Sequence, residues 1–245
     1  MVARRSNSAS CCMLKMSNKF DLTKHRFGIN KNMSWDEVQR FNLNWWKTTG
    51  IRDWHEKPST KKLCYDVFIQ DIESHVIPVV TNTSDKLVGE VCCGPYGGII
   101  EAFDIKCKEK YFIDLFMEDY RDLGFVNWSE NSFFVQAPAE YIDLEDNKLD
   151  ILFGYNSIDH GWDWKRSLDE CLRISKSMFL MFDTKDELDG DKHPQKISHQ
   201  DVLDYVSQNA WREKYQYVSV HPRRKDYGYY ETCFEWPETW VYVIK

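Results

Sequence analysis

The chain has 245 residues, which suits one large α/β domain or a domain with a helical extension. Its formal net charge of −7 argues against a general nucleic-acid binder, because neutralising phosphates needs clustered lysine and arginine. Hydrophobic residues make up 42%, enough for a sizeable core, yet no apolar run approaches the ~18 residues of a membrane span.

Residues 1–33 show little periodicity and are expected to form a flexible extension. Arg4, Arg5, several serines and the lack of acids over residues 1–18 fit a disordered tail or a transit-like leader. Ser34-Trp35-Asp36-Glu37 fits a capping box, so a helix of about 15 residues starts there, with Val38, Phe41 and Trp45 at helical spacing. A second helical pattern covers 61–75, with Leu63, Val67, Phe68 and Ile72 on one side. Residues 34–80 thus form a helical segment that either lids a cleft or covers a sheet. The remainder, 81–245, reads as the main domain.

From Asp85 the pattern becomes strand and helix in alternation. Residues 86–92 are a short buried strand ending in a glycine-rich turn, Gly94 to Gly98, and a helix follows over 98–108. Tyr111-Phe112-Ile113-Asp114 is a second strand ending in a carboxylate. A helix with Tyr120 and Leu123 leads to a third strand over 132–136, and 149–154 is a fourth. Residues 164–176 form a strong helix with Leu168, Cys171 and Leu172 inward, 177–183 a fifth strand, and 198–208 a helix opened by Ser198. Residues 215–220 and 240–244 alternate as a final antiparallel pair. This order gives a mostly parallel sheet with helices on both faces, and ligands bind beyond the carboxyl ends of its strands.

The first strand, turn and helix are the most informative unit. Gly94, Gly97 and Gly98 let main chain approach a ligand and adopt positive φ, and the helix start beyond them offers free amides. About 20 residues after Gly94, Asp114 stands where a carboxylate can accept both hydroxyls of a ribose. The eight cysteines are irregularly spaced with no C-x-x-C pair, which argues against a disulfide framework and a structural zinc. No metal is implied.

With these residues in place, the chain resembles the class I S-adenosylmethionine-dependent methyltransferases, in particular the broad small-molecule group. Glu90-Val91-Cys92-Cys93-Gly94-Pro95-Tyr96-Gly97 resembles the family's first motif, acid-x-Gly-x-Gly-x-Gly. Asp114 matches the ribose-binding acid, Ala139-Glu140 the segment beside the adenine, and Leu149-Asp150-Ile151-Leu152-Phe153 the fourth-strand motif. The loop Asn156 to His160 and the following helix, with His193-Pro194 beyond, also match, so the likeness spans roughly residues 85–220. It implies a Rossmann-like fold with a seven-stranded sheet, S-adenosylmethionine as cofactor, and a small-molecule or sugar-like acceptor. It places Glu90, Cys92, Gly94, Pro95, Gly97, Asp114, Ala139, Glu140, Tyr155 and Asn156 around the cofactor.

Two positions depart from the motif. Cys92 stands where the first glycine usually stands, as it does in quinone-biosynthesis methyltransferases, and Tyr96 stands where the third does. Either Tyr96 swings outward and Gly97 takes the close approach, or the ring fills the space the methionine part needs. Glu90 either holds the turn through backbone amides or contacts the ligand. His160 is the candidate general base, oriented by Asp159, since a neutral imidazole is available near pH 7. Trp162 and Trp164 either pack the helix start or wall the substrate. Tyr227-Gly228-Tyr229-Tyr230 is a lid or a surface loop, and Arg223-Arg224-Lys225 a solvated loop or a phosphate contact.

The leading expectation is therefore a soluble, cytoplasmic methyltransferase without nucleic-acid partners. The alternatives are a methyltransferase-like binding protein with little or no turnover, an interaction module built on the tryptophans, and an NAD-dependent oxidoreductase. The last expects Gly-x-Gly-x-x-Gly, which Gly94, Gly97 and Gly98 do not supply.

Overall fold

The computed structural model describes residues 13–14, 35–50, 58–75, 83–123, 131–184, 195–209, 211–222 and 238–245. Eight strands and seven α-helices are assigned among them. The strands are β1 (Met13–Leu14), β2 (Leu87–Val91), β3 (Glu109–Asp114), β4 (Ser132–Gln136), β5 (Leu149–Tyr155), β6 (Ser175–Asp183), β7 (Tyr217–Pro222) and β8 (Glu238–Ile244). The helices are α1 (Trp35–Trp45), α2 (Pro58–His75), α3 (Gly98–Ala102), α4 (Met117–Asp122), α5 (Trp164–Ile174), α6 (His199–Gln208) and α7 (Trp211–Lys214). No helix among the described residues is long and apolar enough to cross a membrane.

The sheet order is β1-β4-β3-β2-β5-β6-β8-β7. Strands β1 to β6 run parallel, and β8 is antiparallel to both β6 and β7. The order reverses between β2 and β5, which opens a crevice beyond their carboxyl ends. Alternate residues of each strand serve two cores. On one face Val91, Ile113, Leu152, Leu180 and Val241 meet Leu168 and Cys171 of α5, Val202 and Val206 of α6, and Trp211 of α7. On the other, Val88, Phe112, Phe153, Phe179 and Tyr242 meet Phe68 and Ile72 of α2, Ile99 and Ile100 of α3, and Tyr120 of α4.

The helical segment over 34–80 therefore shares the sheet's own core. It is also tied by polar contacts: His221 Nε2 in β7 lies 3.2 Å from the buried Asp71 carboxylate of α2, and its Nδ1 lies 3.1 Å from Ser219 Oγ. Helix α6 is opened by Ser198 as expected, through a capping box in which Ser198 Oγ accepts from the Asp201 amide and the Asp201 carboxylate accepts from the Ser198 amide.

Several boundaries differ from the sequence expectation. The sheet has an eighth strand, because Met13 and Leu14 of the presumed extension pair with Phe134 and Val135 at the edge. The helix expected over 98–108 ends at Ala102. Asp104 takes a left-handed conformation with φ 48°, and the Ile105 amide bonds back to the Ile100 carbonyl, so Ile105 turns into the core and the chain heads for β3. Helix α5 ends at Ile174, because Ser175 is already extended and starts β6. The final pair starts later than expected at Tyr217 and earlier at Glu238. Ser34, most of residues 1–33, His193-Pro194, Arg223-Arg224-Lys225 and the Tyr227–Tyr230 tract lie outside the described residues, as do the side chains of Leu63 and Val67.

Candidate functional site

The crevice at the strand reversal is walled by the loops after β2, β3, β4 and β5. The loop after β2 holds four residues in the left-handed region: Cys92 (φ 52°), Gly94 (φ 65°), Gly97 (φ 72°) and Gly98 (φ 51°). A cysteine in this region is strained, whereas glycine is not. Cys92 thus keeps the backbone shape of the glycine it replaces. Tyr96 has no positive φ; the left-handed positions fall on Gly97 and Gly98 instead, one residue later.

Glu90 holds this turn from below. Its Oε1 accepts from the Ile99 amide at 2.9 Å and its Oε2 from the Ile100 amide at 3.0 Å, so the carboxylate caps the start of α3. The fit is tight: a Cβ on Gly98 would lie 1.8 Å from Oε1. Of the two roles expected for Glu90, the observed one is the backbone clamp. Burial pushes its carboxyl up to about 8, although the two amides pull the other way.

Asp114 ends β3 and clamps the same turn from the side. Its Oδ2 accepts from the Gly94 amide at 3.1 Å and its Oδ1 from the Phe116 amide at 2.9 Å. Each oxygen keeps a lone pair for a further donor. Burial raises this carboxyl to about 6, against the two amides. Cys92 and Cys93 beside it are held well above the usual thiol range by burial and then by the Asp114 charge, which makes them poor nucleophiles.

The loops after β4 and β5 close the other side. Ala139 is buried. The buried Glu140 carboxylate is committed to main chain, because Oε1 accepts from the Trp162 amide at 2.6 Å and the Asp163 amide at 3.2 Å. Burial raises it to about 7. An adenine contact from this segment would have to come from main chain. Tyr155 ends β5 and packs edge-on to Tyr65 and Phe68 of α2, with ring centroids at 4.9 and 5.6 Å. Asn156 follows with φ 51°. His160 stands in a short 3-10 turn, Ile158–His160, with its Nε2 3.8 Å from the buried Asp159 carboxylate. Trp162 and Trp164 are both buried, and Trp164 packs edge-on to Tyr205, so they serve the start of α5, which Asp163 caps.

Gln136 and Ser157 carried no signal in the sequence, whereas Asn156 was expected at the site. The buried side-chain oxygens of all three find no hydrogen-bond partner among the described residues. Gln136 ends β4 in register with Asp114, and Asn156 and Ser157 follow β5, so three orphans ring the crevice. The Tyr120 hydroxyl beside Asp114 helps to hold that carboxyl down against burial. Buried polar groups are normally satisfied, so this set marks a place built for a polar ligand. Gln195 braces the far wall, accepting from the Trp164 amide and donating to the Ile158 carbonyl.

Helix α1 crosses over the crevice. Gln39 Nε2 donates to the His160 carbonyl at 3.3 Å, and Trp46, just past the helix end, lays its ring against Gly94. A Cβ on Gly94 would lie 3.2 Å from the Trp46 ring, which also meets Tyr120 edge-on at 6.5 Å. Trp46 begins a five-residue π-helical stretch, a form often found at functional sites.

Tested against S-adenosylmethionine, the residues fit in kind. A bare glycine turn, a strand-end carboxylate with spare lone pairs and orphaned oxygens suit a nucleoside with hydroxyls and a cationic tail. The Trp46 ring lies against Gly94, on the face of the turn that such a ligand would approach.

No protein-family model matches the chain, and no curated protein does either. Solved structures do match. The 1,6-didemethyltoxoflavin-N1-methyltransferase of Burkholderia thailandensis, with bound 1,6-didemethyltoxoflavin and S-adenosylhomocysteine, is 8% identical, with 86% of this chain and 89% of that one covered and a TM-score of 0.57. The magnesium protoporphyrin IX methyltransferase of Synechocystis PCC 6803, with bound S-adenosylmethionine, is 10% identical, with 88% and 100% covered and a TM-score of 0.56. The YcgJ protein of Bacillus subtilis is 14% identical, with 73% and 97% covered and a TM-score of 0.52. At such identities the likeness shows the fold, and that fold is the Rossmann-like methyltransferase fold.

Proposed function

We propose that this chain is an S-adenosylmethionine-dependent methyltransferase acting on a small-molecule or sugar-like acceptor. The observation that carries the reading is the turn after β2. Its main chain is held in left-handed conformation at Cys92, Gly94, Gly97 and Gly98 and tied through the Gly94 amide to the Asp114 carboxylate at the next strand end. The fold supports the reading, since two of the similar structures hold S-adenosylmethionine or its demethylated product, and their named substrates are small molecules.

In this reading Asp114 accepts the ribose hydroxyls with the lone pairs its amides leave free. Main chain of Cys92, Gly94, Pro95 and Gly97 lies along the ligand, and Glu90 holds that main chain in shape. Ala139 and Glu140 border the adenine through their backbone. Tyr155 and Asn156 reach the methionine side, where the orphaned oxygens of Asn156, Ser157 and Gln136 receive N–H or O–H donors. When bound, the cofactor supplies a sulfonium methyl open to in-line displacement. The protein's part is orientation and exclusion of water, which is a large share of such catalysis. His160, backed by Asp159, takes the proton of a hydroxyl acceptor; an amine acceptor delivered neutral needs no such base.

Calorimetry with S-adenosylmethionine, S-adenosylhomocysteine and NAD side by side tests the proposal. The first two should bind and NAD should not. Binding of NAD alone, or of none of the three, overturns it. Mass spectrometry of candidate acceptors incubated with the protein then separates an enzyme from a binding protein without turnover.

A further inference from the structure

A second cavity, of about 460 Å³, opens at the opposite end of the sheet. It lies where β5, β6 and β7 begin, bounded by the end of α5, by α7 and by Lys245 after β8. That volume is in the range of sites that hold small organic ligands. Three cations line it: Arg173, Lys214 and Lys245.

Their partners decide what the cavity can take. Arg173 is neutralised by Glu170 at 2.8 Å and Asp146 at 2.7 Å and also donates to the Ile142 and Leu144 carbonyls. Asp169, also on the wall, accepts from the Tyr205 hydroxyl at 2.7 Å. Lys245 Nζ donates only to uncharged oxygens, Asn147 Oδ1 at 2.8 Å and the Leu172 carbonyl. Lys214 Nζ faces the Tyr215 ring at 5.4 Å, and Lys245 Nζ lies 6.0 Å from the same ring. Neither lysine has a carboxylate partner among the described residues. The Trp211 ring is buried against Tyr205 and Tyr215.

Two ammonium groups that hydrogen-bond to no carboxylate and two aromatic rings thus share one cavity, with the Asp146 and Asp169 carboxylates also on its wall. Burial, and then the Lys214 charge, hold the Lys245 ammonium down at about 8 against the pull of Asp146. A ligand that relieves this needs two negative charges on one small group and a flat apolar body. We propose that this cavity is a second binding site that takes a phosphate monoester carried on an aromatic ring, with Lys214 and Lys245 on the phosphate and the Trp211 and Tyr215 rings beside the aromatic body. The inference does not rest on the methyltransferase reading, since the cavity is at the other end of the strands.

Calorimetry of the full chain with phenyl phosphate, inorganic phosphate and benzoate tests it. Phenyl phosphate should bind most tightly, because only it offers both the dianion and the ring. Charge-assisted contacts are worth roughly tenfold to a hundredfold each, so Lys214→Glu should weaken phenyl phosphate at least tenfold. Lys214 is exposed, so the variant should melt with the wild type; Lys214→Ala, expected to lose less, serves as the control if it does not. Saturating S-adenosylmethionine should leave phenyl phosphate binding unchanged, whether or not that nucleoside binds at all. As a second readout, the pH at which Lys245 reacts with an amine reagent should move up from about 8 when phenyl phosphate is bound. Absence of phenyl phosphate binding, equal affinity in Lys214→Glu, or competition by S-adenosylmethionine overturns the proposal.

Discussion

Replacing Glu90 by glutamine should make the protein's stability less dependent on pH between 5 and 8. The Glu90 carboxyl is buried, and burial raises it from 4.5 to about 8. The folded state therefore holds the proton more tightly than the unfolded one. Stability from this group is complete below pH 4.5 and is lost as pH climbs towards 8. Each pH unit in that window removes about 1.36 kcal/mol, so between pH 5 and 8 the wild type loses roughly 3–4 kcal/mol through Glu90 alone. Glutamine never ionises. Ile99 and Ile100 both present N–H donors, so glutamine can accept from only one of them through its oxygen while its NH2 faces the other, and the variant should be the less stable at pH 5 by about 1–3 kcal/mol. Between pH 5 and pH 8 the wild type's melting temperature should fall by roughly 6–16 °C through this group, at about 2–4 °C per kcal/mol for a chain of this size, and the variant lacks that part of the fall. Asp114 and Glu140 titrate in both proteins and cancel in the difference. The assay is thermal unfolding of both at pH 5 and pH 8. A melting difference that is the same at the two pH values would refute the reasoning, because it would mean that Glu90 does not titrate between them.

The remaining expectations concern the cofactor. Asp114→Ala should weaken S-adenosylmethionine at least tenfold by calorimetry, since a hydrogen bond to a charged group contributes roughly 1.5–3 kcal/mol. Because burial raises the Asp114 carboxyl to about 6, wild-type affinity should rise from pH 5 to 7 as the carboxylate forms, and Asp114→Asn should flatten that rise. Tyr96→Gly should change affinity by less than ~1.4 kcal/mol, a factor of ten, since Tyr96 does not occupy a left-handed position; a large gain would mean that the ring blocks the site. Trp46→Ala should tighten binding roughly two- to tenfold, because the ligand no longer has to break the edge-on contact with Tyr120, and weaker binding in the variant would show the ring to be part of the site instead.

The parts of the site that were legible in the sequence are those where the backbone itself is the functional group. Gly94, Gly97 and Gly98 announce a turn with positive φ because little else sits there comfortably, and Asp114 announces itself by ending an apolar run. The parallel order followed from strand and helix alternating. What the sequence could not convey was direction. Glu140 in a loop reads the same whether its carboxylate meets a ligand or, as observed, the Trp162 and Asp163 amides. Trp46 is brought onto Gly94 from far along the chain by packing of α1 and α2, which no local pattern encodes. Gln136 and Ser157 are unremarkable until their burial without a partner is seen. The overlong helix after Gly98 has a similar cause: Ile105 sustains an apolar pattern that a single left-handed Asp104 redirects.

The two departures from the glycine motif bear differently on function. At Cys92 the left-handed backbone is retained, so the strain of a β-carbon there, of order 1–3 kcal/mol, is carried by the folded structure around it. Such strain persists only where neighbours fix the conformation, and here Asp114 pins the Gly94 amide and Glu90 the Ile99 and Ile100 amides. At Tyr96 the opposite holds, because the left-handed requirement has moved to Gly97, where a Cβ would lie 2.6 Å from the Glu101 side chain, and to Gly98, where it would strike Glu90. Gly97 sits against the Glu101 side-chain methylene and Gly98 against the buried Glu90 carboxyl, so a β-carbon at either would force the turn to shift. The orphaned oxygens of Gln136, Asn156 and Ser157 each leave a buried polar group unsatisfied at roughly 1–3 kcal/mol unless something binds. The strained Cys92 and Asn156 and the unmet hydrogen bonds of Gln136, Asn156 and Ser157 share one crevice, which is what the proposed cofactor site requires.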